Sequence, residues 1–549
     1  MIDIHGGKVG PKEPATGTQA VCASQHPIVT ETMLETMRSG GNAVDAAIAG
    51  CLVQATVQQD MTNHTGTVSF LYWEAATGAS YELNSSGTIV PDLPALRRVP
   101  AGHGLYAQGA GPMAVIPGFM PGMKAMYERF ATKPWAELCA PAIHWAEEGH
   151  VVDSFEHLVM AQTVDFFLYT PSGREHFTPE GHLPQAGDRW AKPVLAATLK
   201  ALAAEGPDYF ITGAWAEKFV ARANELGWAI EMKHMDAIPA RWGEGTRWSH
   251  GGYEVLQPSP PERQALFCSL VLGMLEELEI TKLGHYSESP EALYYFAHAL
   301  RRAGFECGFV NDPEVFENPA SILLDAALSK QFADILRASK PKVDLTKHVE
   351  LTVGPLAMAA AGGPPKQPAG SCELSLVDPK GNWVQMMNTL QSGGIPGEVV
   401  AGVPMVGSHG MTNMQAGIAG WLTGGGRLRS VMSNTIVLKA GKPVVSLGSP
   451  GNVHCTVPQV LSNILDYGMD PYAAEDAPRM LPMTDDYKVG VESRIGPDMV
   501  AGLARLGVAV DPLPTYDYHM GSYQMSWRDP DGTLHGSAGP RRSGRADAF

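Results

Sequence analysis

The residues whose order carries the most chemistry are Gly370-Ser371-Cys372-Glu373-Leu374-Ser375-Leu376-Val377-Asp378. A stretch rich in Gly and Pro, 362–370, leads into a serine at the head of a strand-like run. Cleavage after Gly370 would make Ser371 an N-terminus. Its hydroxyl would then be the nucleophile and its own free amine the base, as in N-terminal nucleophiles. Such a group opens or transfers amide-linked acyl groups. The plain alternative is an ordinary serine in a strand. Other chemistries find no support in the spacing. There is no HExxH and no Cys/His pairing at zinc spacing, so no metal is expected. Gly424-Gly425-Gly426-Arg427 lacks the Lys-Ser/Thr and the preceding strand of a phosphate loop, and no cofactor is expected.

The elements that must position Ser371 can be read around it. Ser371–Asp378 and Trp383–Leu390 flank a Pro-Lys-Gly-Asn turn, which predicts a hairpin. Asn434–Lys439 and Pro443–Leu447 flank Ala440-Gly441-Lys442, a second hairpin. A third joins Tyr523–Arg528 to Thr533–Ser537 through Asp529-Pro530-Asp531-Gly532. A helix is expected from about Thr456 to Tyr467. Earlier, Pro27 opens a helix stopped by Ser39-Gly40-Gly41, and Asn42 caps another from Ala43 to about Thr56. Thr67–Trp73 and Ser80–Leu83 read as strands. Further helices are expected from about 118 to 130, from 134 to 148, and over most of 190–340, where Gly252–Leu256 is a strand candidate. Segments 361–370, 391–411 and 418–427 read as flexible. Helices before, strands at Ser371 and a helix after suggest sheets sandwiched between helix layers.

The chain has 549 residues, 44% hydrophobic and 18% charged, a globular composition too long for one small core. Its net charge of −17 argues against a nucleic-acid partner, which needs clustered cations. No apolar run approaches the roughly 18 residues of a membrane span. Met1–Lys8 lacks the features of a signal peptide, and seven scattered cysteines read as reduced thiols, so a cytoplasmic setting is expected. A homo-oligomer stays open.

Several blocks together resemble the gamma-glutamyltransferase family of N-terminal-nucleophile hydrolases. They are His26-Pro27, Gly40-Gly41-Asn42-Ala43-Val44-Asp45-Ala46-Ala47, Pro117-Gly118, Pro134–Leu138, Pro141–Ile143 and Ala146–Gly149. Leu447–Gly451, Asp476–Arg479 and the ending Gly536–Gly544 continue the likeness in the same order. The resemblance implies an α/β fold, a four-layer αββα sandwich made as one inactive precursor. Self-cleavage would divide it into a helix-rich portion, 1–370, and a strand-rich portion, 371–549, which together form one unit.

The resemblance also implies roles. Gly370 and Ser371 form the cleavage site, and Ser371 takes the place of the family's catalytic threonine. Thr389 matches the threonine that bonds the nucleophile's hydroxyl. Gly451 and Asn452 match the paired glycines whose N–H groups form the oxyanion hole. Ser430 matches one of two serines near the substrate; the second is Val431. Gln391, Gly410 and Asn413 are nearest to the residues that read an α-amino group. Gly87 stands where the family has the arginine that reads an α-carboxylate. Cys372 and Glu373 stand where it has Thr and His, and Asn63–Val68 replaces its glycine-rich run. His64, His409 and Arg429 could supply new polar contacts.

The expected function is therefore an autoprocessing amidase or acylase acting on a small-molecule amide, with an acyl group other than γ-glutamyl. Two alternatives stand beside it. One is γ-glutamyl hydrolysis or transfer with a rebuilt pocket. The other is an unprocessed, silent homologue that serves as a binding or assembly subunit.

Overall fold

The computed structural model describes residues 9–89, 115–162, 164–168, 170–226, 230–339, 370–390, 394–395, 397–405, 425–429, 432–482 and 488–549. Most of the segments expected to be flexible, and Gln391, His409, Gly410, Asn413, Ser430 and Val431, lie outside the described residues.

Two seven-stranded sheets form the middle of the molecule. In spatial order the first contains Arg545–Ala548, Val21–Ser24, Cys372–Val377, Trp383–Thr389, Thr67–Trp73, Ser80–Ser85 and Arg241–Gly243. The second contains Ala15–Gly17, Leu534–Ala538, Gln524–Arg528, Lys442–Gly448, Thr435–Lys439, Tyr253–Gln257 and Thr246–His250. Every neighbouring pair in both sheets is antiparallel. Helices Pro27–Arg38, Ala43–Val57 and Phe119–Phe130 cover the outer face of the first sheet, with Trp135–Glu148 behind them. Gln264–Glu277 and Val453–Leu465 cover the second, with Pro290–Glu306 and Ala326–Ser339. The four layers are α, β, β and α, as the sequence led us to expect.

Local sequence explains the elements nearest Ser371. Every residue of Ala43–Val57 is buried. Its apolar character has no polar face, as expected of a helix enclosed by other layers. Asn42 and Asp45 form a capping box at its start. The hairpin carrying Ser371 is tied to that same helix end. Asp378 accepts the Asn382 N–H at 2.9 Å and the Asn382 side-chain amide at 2.8 Å, which closes the turn. The oxygen that takes the side-chain amide, Oδ2, also takes the Ala43 N–H at 3.0 Å. One buried carboxylate thus fixes the hairpin against the helix.

Some boundaries differ from the sequence reading. The helix expected near Thr456 begins at Val453, because buried Val453 and Cys455 join its core-facing surface. The 190–340 region adds two strands, Arg241–Gly243 and Thr246–His250, short and with much of their length partly exposed. Their pattern is too weakly apolar to signal an edge strand. Strands Val21–Ser24 and Arg545–Ala548 also escaped the sequence reading. All seven cysteines are free and buried. Among the described residues no helix is long and apolar enough to cross a membrane.

Asp378→Ala is expected to lower the unfolding free energy by about 3 kcal/mol, since it strands buried donors at Ala43 and Asn382. Asp378→Asn, which keeps an acceptor, should lose less. Denaturant unfolding of the two variants beside the parent chain checks this.

Candidate active site

Ser371 stands immediately before the strand Cys372–Val377 and is 3% exposed. Alternation along its strand sends Cys372, Leu374 and Leu376 toward the helix layer and Glu373, Ser375 and Val377 toward the second sheet. Cys372 pairs with Asn388 across the hairpin, which sets Ser371 opposite Thr389; Thr389 in turn faces Thr67. The Ser371 hydroxyl donates to Thr389 Oγ1 at 2.9 Å. Gly66 makes room for this row. A Cβ there would lie 1.6 Å from the Thr389 carbonyl oxygen, so no other residue fits without moving the strand. The Ser371 carbonyl accepts from Arg542 Nη1 at 3.3 Å. Gly370 lies against Leu390 and the Met61 carbonyl.

One step deeper, Glu373 is fully buried. Gln385 Nε2 donates to its Oε1 at 2.6 Å, and the Ser433 hydroxyl donates to its Oε2 at 3.1 Å. Ser433 Oγ then accepts the Ser449 N–H at 2.8 Å. Burial pushes the Glu373 carboxyl well above the ordinary range, against the pull of Gln385 and Ser433. Gly448 leaves space for this carboxyl, since a Cβ there would meet Oε1 at 1.9 Å. Beyond it, Ser375 Oγ meets the hydroxyls of Ser446 and Ser526 at 2.8 and 2.9 Å. The Asn434 side-chain amide donates to the carbonyls of Ser69 and Gln385, both at 2.9 Å. The strand of Ser371 is thereby linked to the loop Ser449-Pro450-Gly451-Asn452.

In that loop Gly451 has φ +91°, a conformation that suits glycine. The Asn452 N–H donates to the His519 carbonyl at 3.0 Å, and its side-chain amide donates to the same oxygen at 3.0 Å. An oxyanion donor at Asn452 therefore requires that bond to be released. The Gly87 carbonyl accepts the Leu428 N–H at 2.8 Å. His64 is fully buried, edge-on to Phe119 at 5.7 Å between ring centres. Burial lowers it to about 4, so its ring is neutral at physiological pH. Of the residues singled out in the sequence, the structure brings together Gly370, Ser371 and Thr389. It links Gly451 and Asn452 to them through Glu373 and Ser433.

Sequence reasoning missed a buried ionisable cluster behind Ser371. It comprises Asp60, Asp153, Glu156, Lys192, His150 and Arg542. His150 Nε2 lies 3.0 Å from Glu156, and Lys192 Nζ lies 3.3 Å from His150 Nδ1. Burial raises Asp60 to about 8, aided by Asp153 and opposed by Arg542 and Lys192. Burial lowers Lys192 to about 7 against the pull of Glu156 and Asp60. His150, Asp153 and Glu156 are close in sequence, but Asp60, Lys192 and Arg542 are far from them, and no local pattern joins the set. A cavity of about 580 Å³ lies further along the first sheet, lined by Glu82, Asn84, Arg241, Ser259, Glu314 and Phe316. Its strand, Ser80–Ser85, is three places from that of Ser371, about 14 Å by strand spacing. Among the described residues no group of His, Cys, Asp and Glu is arranged to hold a metal ion.

Comparison with known proteins gives this geometry a context. The sequence model of the family described as Gamma-glutamyltranspeptidase matches residues 29–549. The chain is 28% identical over 502 residues to the glutathione hydrolase proenzyme of Pseudomonas sp. (strain A14), spanning 87% of this chain and 84% of that one. It is 26% identical over 550 residues to the Acylase ACY 1 proenzyme of Pseudomonas sp. (strain SE83), spanning 97% and 94%. It superposes on cephalosporin acylase from Bacillus halodurans with a TM-score of 0.82 at 23% identity, over 98% of this chain and 97% of that one. This last likeness is one of fold.

Glu373→Ala is expected to cost about 3 kcal/mol of stability, because Gln385 and Ser433 lose a buried partner. Glu373→Gln, neutral and of the same shape, should be close to the parent below the ordinary carboxylate range, where Glu373 is uncharged in both folded and unfolded chains. The folded chain holds a proton on Glu373 that the unfolded chain releases in the ordinary carboxylate range. The parent's stability relative to Glu373→Gln should therefore fall as pH rises above that range toward the raised pKa, and level off at lower pH. Unfolding of both proteins across a pH series measures the difference.

Proposed function

Because the chain belongs to the gamma-glutamyltranspeptidase family, we propose that it is an autoprocessing amide hydrolase whose nucleophile is Ser371. Its relatives are glutathione hydrolases and acylases, enzymes that open or transfer amide-linked acyl groups. The observation that carries the reading is the 2.9 Å bond from the Ser371 hydroxyl to Thr389 Oγ1, at the head of a buried strand directly after Gly370. That bond fixes the hydroxyl's direction before any substrate arrives.

In the first stage the Ser371 oxygen attacks the Gly370 carbonyl carbon. Its proton passes to the departing amide nitrogen, and the peptide bond breaks as an ester forms. Water opens the ester, leaving a carboxylate on Gly370 and a free amine on Ser371. In the second stage that amine takes the hydroxyl proton while the oxygen attacks a substrate amide. The leaving amine carries the proton away, and water or another amine releases the acyl group. Gly451 supplies an N–H to the oxyanion, joined by Asn452 once its bond to His519 is released.

The division would fall between 1–370 and 371–549. The two portions would stay together, because both sheets interleave their strands. Cys372–Val377 lies between Val21–Ser24 and Trp383–Thr389, and Thr435–Lys439 pairs with Tyr253–Gln257. Gly87 offers no side chain to a substrate carboxylate, which favours an acyl group other than γ-glutamyl. A second reading, γ-glutamyl turnover with a rebuilt pocket, draws on the glutathione hydrolase relative.

Intact mass and a denaturing gel of the purified protein should show two chains parted after Gly370. Ser371→Ala should remain one chain and lose turnover of amide substrates by at least about a thousandfold. A parent chain that never divides would favour a silent binding subunit. Release of nitroaniline from γ-glutamyl-p-nitroanilide separates the second reading from the first.

A further inference from the structure

The chemistry at Ser371 makes no use of the cavity of about 580 Å³ at the edge of the first sheet. That volume is in the range of small-molecule sites. Two paired strands, Ser80–Ser85 and Arg241–Gly243, supply part of its lining. Glu82 lies opposite Gly243, and Asn84 opposite Arg241. Leu83, between them, belongs to the core under the helix layer, so Glu82 and Asn84 share the other face. Both line the cavity and both are buried, at 4% and 2% exposed.

The two side chains offer hydrogen-bonding groups of opposite kind. Asn84 Oδ1 accepts the Ser86 N–H at 3.1 Å, which fixes the orientation of its amide. Its Nδ2 is buried and has no hydrogen-bond partner among the described residues. A buried donor left in this way costs stability unless something accepts from it. Glu82 Oε1 accepts the Ser259 N–H at 2.9 Å. Gly243 leaves room beside the other oxygen, since a Cβ there would meet Glu82 Oε2 at 3.4 Å and nothing else nearer than 4.0 Å. Burial raises the Glu82 carboxyl to about 7, against the pull of Ser259 and Arg241. The Arg241 guanidinium is already committed. It donates from Nη1 to Asp312 at 2.9 Å and from Nη2 to the Pro260 carbonyl at 2.5 Å. Phe316, Pro260 and Pro313 supply the apolar part of the lining.

We propose that this cavity binds a small-molecule amide, whose carbonyl oxygen accepts from Asn84 Nδ2 and whose N–H donates to Glu82. Alternate residues on one face of a strand leave it about 7 Å apart. An amide with a hydrogen bond at each end spans about that distance. Other classes meet only half of the pair. A carboxylate would suit Asn84 but be repelled by Glu82 and by Glu314, which also lines the cavity. An ammonium group would suit Glu82 and leave Asn84 unpaired, and an ester has no N–H for Glu82. Phe316 and the two prolines give the ligand's apolar body a surface to lie on. The strand of Glu82 and Asn84 is about 14 Å from that of Ser371, too far for an amide seated here to be the bond that Ser371 attacks. The amide is therefore a second one in a long substrate, or a separate molecule. The first source rests on the amidase reading above; the site itself does not.

The test has two arms. In the first, ligand-observed NMR titration measures binding to the full-length Ser371→Ala protein, which leaves the probes intact. The probes are N-methylphenylacetamide and methyl phenylacetate, which has the same shape and lacks the N–H. The amide should bind saturably and at least about tenfold more tightly than the ester. Asn84→Leu should weaken the amide by at least about tenfold. Glu82→Gln keeps the shape and the acceptor for the Ser259 N–H but turns an N–H toward the ligand, so the amide should lose its advantage over the ester. That readout is a ratio within one protein, and a general loss of folding, which weakens both probes alike, does not imitate it. No saturable binding of the amide, a ratio that survives in Glu82→Gln, or an amide affinity unchanged in Asn84→Leu overturns the proposal. In the second arm, processed enzyme is given two p-nitroanilides whose acyl chains are long enough to cover the separation between the two strands. One chain ends in an acetamide and the other in the matching acetate ester. An acetamide/ester ratio of kcat/KM that falls by at least about tenfold in Glu82→Gln supports the substrate's own second amide as occupant. An unchanged ratio, with binding still dependent on Glu82 and Asn84, supports a separate amide molecule. If neither anilide is turned over, the amidase reading is in question, and the binding arm alone decides the site.

Discussion

The structure depends on a buried polar seam between two sheets. At one end the sheets meet through Trp383, Leu71, Ile436 and Leu438, an ordinary apolar contact. Toward Ser371 the contact becomes Ser375 with Ser446 and Ser526, then Glu373 with Gln385 and Ser433. Polar groups removed from water must find partners or cost stability. Gln385 comes from the same hairpin, while Ser433, Ser446 and Ser526 come from the second sheet or the segment leading into it, so the contacts fix the register of both sheets at once. A one-residue slip of Cys372–Val377 would send Glu373 into the helix layer and Leu374 into the seam. The placement of Ser371 opposite Thr389 follows from the same register. Positioning of the hydroxyl is thus a property of the whole sandwich.

Much of this was legible in the residues. The hairpin at Ser371 could be read from alternation around a Pro-Lys-Gly-Asn turn, and Asn42 from its capping position. The αββα layering followed from the order of motifs and from the family likeness. Positions after a turn or before a helix are local, and local chemistry sets them. The strands Val21–Ser24 and Arg545–Ala548 were not legible, because they are short and are stabilised by pairing with each other and, for Val21–Ser24, with Cys372–Val377. Glu373 looked like a departure from a motif. Only the fold shows that Gly448, Gln385 and Ser433 are arranged around it.

The ionisable cluster was the least legible. Asp60, Lys192 and Arg542 are far apart in sequence. Each would read alone as a surface charge, since that is where such residues usually lie. The layered interior gathers them where water is scarce, and their mutual fields then decide their protonation. For the same reason Asn452 could be matched to an oxyanion position in sequence, while its bond to the His519 carbonyl became visible only in three dimensions.

The interleaving of strands from either side of Gly370 has a consequence for the life of the molecule. An uncut chain finds its strand partners within one polymer, at the high effective concentration that a tether provides. Once opened, the same set of contacts would have to be regained by two separate molecules, neither holding a complete sheet. Folding would then be easy to do once and hard to repeat. The durability of the divided protein would be governed by how slowly it unfolds rather than by a reversible equilibrium. In that sense the covalent link between residues 370 and 371 would serve as an assembly aid, needed to build the sandwich and dispensable after a cut.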